Sequence, residues 1–95
     1  MPLLPGVLEL AEEGVYAGGL ETNLRYVERR VRWPDALAIG LRRALADPQT
    51  SGGLLLSTPA DRADALVARL ARRGVAAAII GDVRPRGRFP VEVTA

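Results

Sequence analysis

The segment between the glycine pair at 52–53 and Gly81 most constrains the fold, because it places one helix pattern between two apolar runs. Residues 54–56 are three consecutive leucines, and residues 75–80 form a second apolar run. A short apolar run bounded by turn residues is typical of a strand covered on both faces. The three alanines of the second run are equally compatible with a helix, and the flanking glycines favour a strand. The pattern therefore predicts a strand–helix–strand unit.

The helix between these runs has recognisable signals at both ends. Thr58 is predicted to cap it, Pro59 to be its first residue and Gly74 to end it. Its apolar residues recur at helical spacing and form one stripe, which consists of Ala63, Leu66, Val67, Leu70 and Ala71.

Two further helices are predicted nearer the N-terminus. The first begins at Pro5 and ends before Gly14. The second begins at residues 34–35 and ends near Ala46, because Pro48 disfavours helical backbone at the residue before it.

The remaining segments are less regular. Residues 15–34 are ambiguous, since Gly18 and Gly19 indicate a turn and residues 23–27 fit either a short helix or an extended chain. Residues 84–88 predict a turn. The alternation of residues 89–94 then predicts a half-buried strand, in which Pro90 indicates a sheet edge or a bulge.

The predicted order is helix, loop, helix, strand, helix, strand, strand. This order favours an α+β fold, with a small mixed β-sheet packed with helices. The length of 95 residues predicts a single domain spanning residues 1–95.

Three residue types are missing from the sequence, and their absence limits its chemistry. The chain has no Cys and no His, and all 13 of its basic residues are Arg, so it has no Lys. It therefore offers no thiolate or amine nucleophile, no imidazole base and no soft metal ligand. We expect no catalytic residue, no metal site and no cofactor bound by this chain alone. A preference for Arg over Lys also occurs in some thermophilic proteins.

Charge and hydropathy bear on the partners. The net charge is only +2, so nucleic acid is not an expected partner, and the arginines at 84, 86 and 88 are interpreted as solvated. Residues 25–33 combine four arginines with Tyr26 and Trp33, a composition typical of protein interfaces. No apolar run has the length of a membrane span and the N-terminus lacks a signal-peptide pattern, so we expect a cytoplasmic protein without a membrane partner.

One stretch resembles a known family. Residues 47–55 read DPQTSGGLL, which is similar to a signature of the selenophosphate synthetases (selenide, water dikinases). Three shorter segments are similar to that family in the same order. They are LPGVLELA at 4–11, Gly18-Gly19 with Asn23, and IGDV at 80–83. Leu20 departs from the family, which has Thr after the glycine pair.

The resemblance implies an ATP-dependent enzyme that converts selenide to selenophosphate and releases AMP and phosphate. Its superfamily includes aminoimidazole ribonucleotide synthetase, and its members are dimers of two-domain chains. There the N-terminal domain holds the glycine-rich loop, the reactive Cys or selenocysteine, a Lys and the metal-binding Asp residues, and the C-terminal α+β domain walls the cleft.

By this resemblance the chain is a truncated C-terminal domain that is not catalytic alone. ATP and Mg belong to the complete enzyme. The expected partner is a second copy in a dimer, or a separately encoded N-terminal catalytic half.

The resemblance also selects candidate residues for a phosphate or substrate cleft: Asp47, Gln49, Thr50, Ser51, Gly52, Gly53, Gly18, Gly19 and Asn23. Residues 50–53 either converge on a phosphate oxygen or form a tight loop with a glycine at positive φ. Asp47 and Gln49 either orient a substrate or water or, as we favour for Asp47, bond nearby backbone. The Gly18–Asn23 segment either lines the cleft or forms a turn whose Asn caps the next segment.

Two other functions compete with this interpretation. The chain could be a stand-alone module that binds a small molecule or phosphate at residues 50–53 and regulates another protein. It could also make selenophosphate itself, which the missing thiol and amine groups argue against.

Overall fold

The computed structural model describes residues 1–94, which form two compact units. The sheet-containing unit comprises residues 3–52 and 86–94, and the α4 unit comprises residues 1–2 and 53–85. The first contains α1 (Val7–Glu12), α2 (Leu20–Val27), β1 (Val31–Arg32), α3 (Ile39–Ala46) and β2 (Val91–Glu92). The second contains a 3-10 turn (Ala60–Arg62) that leads into α4 (Ala63–Ala71). The α+β class is confirmed.

Helix α1 ends as predicted but begins later. Gly14 has a φ of 86°, and the Val15 amide bonds the Leu10 carbonyl at 2.8 Å. This left-handed ending needs glycine because a Cβ would be strained there. The prediction that the helix begins at Pro5 was wrong by two residues, because Gly6 at φ 84° turns the chain first.

Residues 20–27 of the ambiguous segment are helical. Helix α2 directly follows the predicted turn at Gly18 and Gly19. Leu20, its first residue, is completely buried, and the only other buried hydrophobic residues in the described chain are Ala11 and Ala46. Burial of Leu20 explains why this segment forms a helix that contacts α3, since most helical stability in proteins comes from tertiary packing.

Helix α3 ends at Ala46 as predicted, and Asp47 before Pro48 is extended with a ψ of 133°. Its predicted start at residues 34–35 was wrong. Residues 34–37 form a turn in which the Leu37 amide bonds the Pro34 carbonyl at 3.1 Å, and Ala38 is extended. The turn delays the helix until Ile39.

Helix α3 packs closely on α1 at Gly40. A Cβ added to Gly40 would lie 2.5 Å from Cγ of Glu12 and 3.0 Å from the Leu8 carbonyl oxygen. Only glycine fits this contact without movement of one helix.

The sheet is smaller than predicted. β1 and β2 form a parallel pair in which Val31 lies opposite Val91 and Arg32 opposite Glu92. The C-terminal strand was predicted over 89–94 as half-buried, but it comprises only Val91–Glu92, and both residues are exposed. Strand β1 was not predicted. The turn predicted at 84–88 is not formed as a regular turn. The chain bends at Pro85 and again over residues 88–90.

The two strands predicted at 54–56 and 75–80 are not formed. Both segments lack regular secondary structure, and Leu54 and Leu55 are 88% and 82% exposed. A strand is stable only when its backbone groups pair with a neighbour. Within the described chain, residues 54–56 and 76–80 make no backbone–backbone hydrogen bond. The two predicted strands therefore lack the partners that would stabilise them.

Helix α4 is confirmed with a different beginning. Thr58 does not cap it, and Pro59 is extended with a ψ of 138° ahead of the 3-10 turn. Gly74 ends the helix as predicted, with a φ of 72° and a bond of 3.0 Å from the Val75 amide to the Leu70 carbonyl. Four residues of the predicted stripe are half-buried and Ala71 is exposed.

Candidate functional site

The polar loop that follows α3 lies against the beginning of α2. A Cβ added to Gly19 would approach Cγ of Pro48 to 3.3 Å, closer than most real Cβ contacts. Gly18 has open space around the same position. Of the two glycines, Gly19 therefore permits the close approach of the loop, and Gly18 does not contribute to it.

Asn23 fixes the same approach with a hydrogen bond. Its side-chain Nδ2 donates to the carbonyl oxygen of Ala46 at 2.9 Å in a half-buried position. The last four carbonyls of a helix lack partners within the helix, so this bond satisfies one of them in α3. The interpretation that Asn23 caps the next segment was wrong, because the residue lies inside α2 and its side chain binds the end of α3, not the start of a helix.

Asp47 and Gln49 bind one another at the start of the loop. Gln49 Nε2 donates to Asp47 Oδ2 at 2.9 Å, and a Cβ on Gly52 would lie 3.5 Å from Gln49 Oε1. The favoured interpretation that Asp47 bonds nearby backbone was wrong, since its partner is a side chain. The bond links two side chains at the start of the loop.

The remaining loop residues are open to solvent. Thr50, Ser51, Gly52 and Gly53 are all exposed. Positive φ occurs only at Gly6, Gly14 and Gly74 among the described residues, so the expectation of a left-handed glycine at 52 or 53 was wrong. An anion nest that depends on such a residue is not formed in this loop.

The structure thus brings together most of the candidate residues within the sheet-containing unit. Gly19 and Asn23 lie at the start of α2, and Asp47, Gln49 and Gly52 lie on the loop beside it. Gly53 belongs to the α4 unit. The arrangement presents two exposed hydroxyls and exposed backbone on a loop that is held at its base.

Sequence reasoning missed Arg43, which joins α3 to the end of α1. Its Nη1 donates to the carbonyl oxygens of Ala11 at 2.6 Å and Glu12 at 3.3 Å, and its guanidinium lies 4.9 Å from the centre of the Tyr16 ring. A cation at a helix C-terminus is favoured by the helix dipole. The partners are about thirty residues apart in the chain, so no local pattern could have revealed the contact.

Asp and Glu are the remaining candidate metal ligands of a chain without Cys and His. Within residues 1–94 there is no group of three or more Asp or Glu side chains close enough to hold an ion.

Comparison with known proteins shows what the chain resembles. It is 45% identical over 84 residues to the selenide, water dikinase of Myxococcus xanthus, a match that covers 88% of this chain and 24% of that enzyme. The selenide, water dikinase of Clostridioides difficile is 36% identical over 94 residues, which is 98% of this chain and 27% of that enzyme. The chain is a partial-length homologue of selenide, water dikinase. It spans about a quarter of the length of these relatives.

The homology with selenide, water dikinase includes the candidate site. The match with the Clostridioides difficile enzyme covers 98% of this chain, so it contains both the Gly18–Asn23 segment and residues 47–53. The selenide, water dikinase of Carboxydothermus hydrogenoformans is 38% identical over 83 residues, which is 87% of this chain and 24% of that enzyme. No family model matches the chain, and no solved structure matches it.

The hydropathy of the helices gives one further observation. In the part of the chain that the structure describes, no helix combines the length and the apolar character needed to cross a bilayer.

Proposed function

We propose that this chain serves the ATP-dependent synthesis of selenophosphate as the counterpart of the C-terminal domain of selenide, water dikinase. In this role the chain forms one wall of the active-site cleft and supplies no nucleophile. The proposed location of the enzyme is the cytoplasm. The observation that carries the proposal is the homology, which extends over nearly the whole chain and includes the loop at 47–53. The aminoimidazole ribonucleotide synthetase-like fold is proposed on the same ground.

The chemistry of the chain fits a supporting role. Selenide phosphorylation needs groups that handle ATP and its metal ion, and these 95 residues contain no Cys, His or Lys. The described residues also hold no acidic cluster suited to a metal ion. We therefore assign the reactive groups, ATP and Mg²⁺ to a catalytic half that lies outside these residues.

The geometry of the loop supports a positioning function. Asn23 and the Gly19–Pro48 contact hold the base of the loop, whereas Thr50 and Ser51 stay exposed at its tip. The base of the loop is already held in place, and its hydroxyls are exposed. Binding of a ligand or of a second polypeptide therefore costs little further conformational entropy in the loop.

The test is reconstitution of AMP formation from ATP and selenide. The chain alone should produce no AMP. Added to Myxococcus xanthus selenide, water dikinase that lacks the matched segment, it should restore AMP formation. Replacement of both loop hydroxyls, Thr50→Ala with Ser51→Ala, should lower the restored rate by about tenfold. Thr22→Ala, on the exposed side of α2, is the matched control.

AMP formation by the chain alone would refute the supporting role. Failure of the chain to restore any activity, in a preparation where both polypeptides are folded, would refute the proposed pairing.

A second function is a stand-alone module that binds phosphate at residues 50–53. The observation that favours it is the exposure of the Thr50 and Ser51 hydroxyls on a loop whose base is held by Asn23 and by the Gly19–Pro48 contact. Titration calorimetry with ATP, AMP and inorganic phosphate distinguishes the two functions. Heat with inorganic phosphate that is lost in the Ser51→Ala variant supports the module, and no heat with any of the three removes it.

A further inference from the structure

Two shallow depressions lie side by side along helix α4. The first has a volume of about 210 Å³ and is lined by Thr58, Arg62, Ala65, Leu66 and Arg69. The second has a volume of about 200 Å³ and is lined by Leu66, Arg69, Leu70 and Arg73. Because Leu66 and Arg69 line both depressions, the two form one continuous surface, which we call the α4 groove.

The spacing of the residues explains why the α4 groove is continuous. Arg62, Leu66, Arg69 and Arg73 follow one another at intervals of four, three and four residues, at which side chains lie on the same face of a helix. Arg62 precedes α4 in the 3-10 turn and Arg73 follows its last residue, so the stripe extends over the whole helix. Leu66 and Leu70 are half-buried, whereas the three arginines are exposed.

The three arginines of the α4 groove have no acidic partner within the described chain. The ion pairs of residues 1–94 are Arg32 with Glu92 and Arg84 with Asp82. The acidic residue of α4 itself, Asp64, is two positions from both Arg62 and Leu66, so it does not face the groove. The groove therefore combines apolar side chains with three positive charges that no ion pair of the described residues neutralises.

We propose that the α4 groove binds an acidic amphipathic helix of another polypeptide. Three carboxylates of that helix pair with Arg62, Arg69 and Arg73, and an apolar side chain between them packs on Leu66. At a rise of about 1.5 Å per residue, Arg62 lies about 10 Å from Arg69 along the axis, and Arg69 about 6 Å from Arg73. Acidic residues at the same intervals on a second helix meet all three. This inference goes beyond the proposed cleft function and does not depend on it.

The composition of the α4 unit favours an acidic protein segment over a nucleic acid. Residues 53–85 contain no aromatic residue on which a base stacks. The same residues include Asp61, Asp64 and Asp82, which oppose a continuous phosphate backbone. A helix with separated carboxylates places its charges only opposite the arginines, and the guanidinium fork binds a carboxylate through two parallel hydrogen bonds.

The experiment is an NMR titration of the full chain with a synthetic peptide of Ala and Gln, about 18 residues long so that it is helical. The peptide carries Glu at the intervals of the three arginines and Leu at the position facing Leu66. A second peptide of the same composition places its Glu residues on different faces. The first peptide should shift amide signals within residues 58–73, and the second should bind more weakly. Arg69→Glu should weaken binding by about tenfold, because attraction becomes repulsion. Arg86→Glu, at an exposed arginine of the other unit, is the matched control.

A charge-swapped peptide tests the pairing directly. With Lys in place of the Glu that faces Arg69, it should restore binding to the Arg69→Glu variant. Equal binding of the two Glu peptides, equal losses in the Arg69→Glu and Arg86→Glu variants, or no shift with either peptide overturns the inference. Tighter binding of single-stranded RNA or of phosphatidylserine vesicles at the same residues also overturns it. Circular dichroism confirms that each variant keeps its helices, and the AMP assay reports separately on the cleft function.

Discussion

The side chain of Asn23 donates a hydrogen bond of 2.9 Å to the carbonyl oxygen of Ala46, the last residue of α3. The bond joins α2 to the end of α3, two helices that are separated in the sequence by β1 and the turn at 34–37. It also sets the position from which the loop at 47–52 departs. Loss of this bond leaves a half-buried carbonyl without its partner, which costs more than the bond contributes.

Replacement of Asn23 should therefore destabilise the sheet-containing unit. Asn23→Ala is expected to lower the free energy of unfolding by about 1–2 kcal/mol. Asn23→Asp should lower it further, because the carboxylate cannot donate and faces a carbonyl oxygen. Urea denaturation followed by circular dichroism measures both. Thr22→Ala is the control, and equal effects at positions 22 and 23 would contradict the structure.

The close contact of α1 and α3 predicts intolerance of Gly40→Ala. Alanine gains up to about 1 kcal/mol in helix propensity, but overpacking costs about 1–3 kcal/mol. Cγ of Glu12 can move aside, whereas the Leu8 carbonyl at 3.0 Å belongs to a helix backbone and cannot. We expect net destabilisation in chemical denaturation. Gly53→Ala has open space and no positive φ, and it should be neutral or slightly stabilising.

Arg43 should be sensitive even to Lys. Its guanidinium binds two carbonyl oxygens at the end of α1, a geometry that one ammonium group reproduces poorly. Arg43→Lys is expected to lower the thermal midpoint, with a cost of about 1 kcal/mol for a partly exposed charge-assisted bond. Arg73→Lys, at an exposed position, should leave the midpoint unchanged. A stable Arg43→Lys protein would show that the bonds contribute little.

Leu20 is expected to be the most sensitive apolar position. It is completely buried, so Leu20→Ala should cost about 2–5 kcal/mol through lost burial and a residual cavity. Leu10→Ala, at 49% exposure, makes the same chemical change with far less burial and should cost much less. Thermal denaturation of both variants, side by side, gives the comparison. Similar losses at the two positions would exclude Leu20 as the centre of the core.

Local signals predicted the parts of the fold that local physics controls. Gly14 and Gly74 end their helices, and Pro48 ends α3 two residues before it, because glycine and proline restrict the backbone wherever they occur. Helix starts were less predictable. At Pro5, Pro34 and Pro59 a turn or an extended residue precedes the helix, and proline is compatible with each of these conformations.

The candidate site was likewise predictable only where neighbouring residues in the sequence control it. The sequence indicated which residues form the loop at 47–53, and the glycine pair and Asn23 were singled out with it. It did not indicate that Gly19 contacts Pro48 or that Asn23 binds Ala46, because these partners are more than twenty residues apart. Contacts of that kind have no local pattern.

By itself the sequence determined which reactive groups these residues lack, where three helices end, and which family the chain resembles. Each of these depends on residue identity or on neighbours in the chain. The tertiary structure decided that residues 20–27 form a helix, that Val31 pairs with Val91 and that residues 54–56 and 76–80 remain unpaired. Helices satisfy their hydrogen bonds locally, whereas strands need a partner that local sequence does not specify.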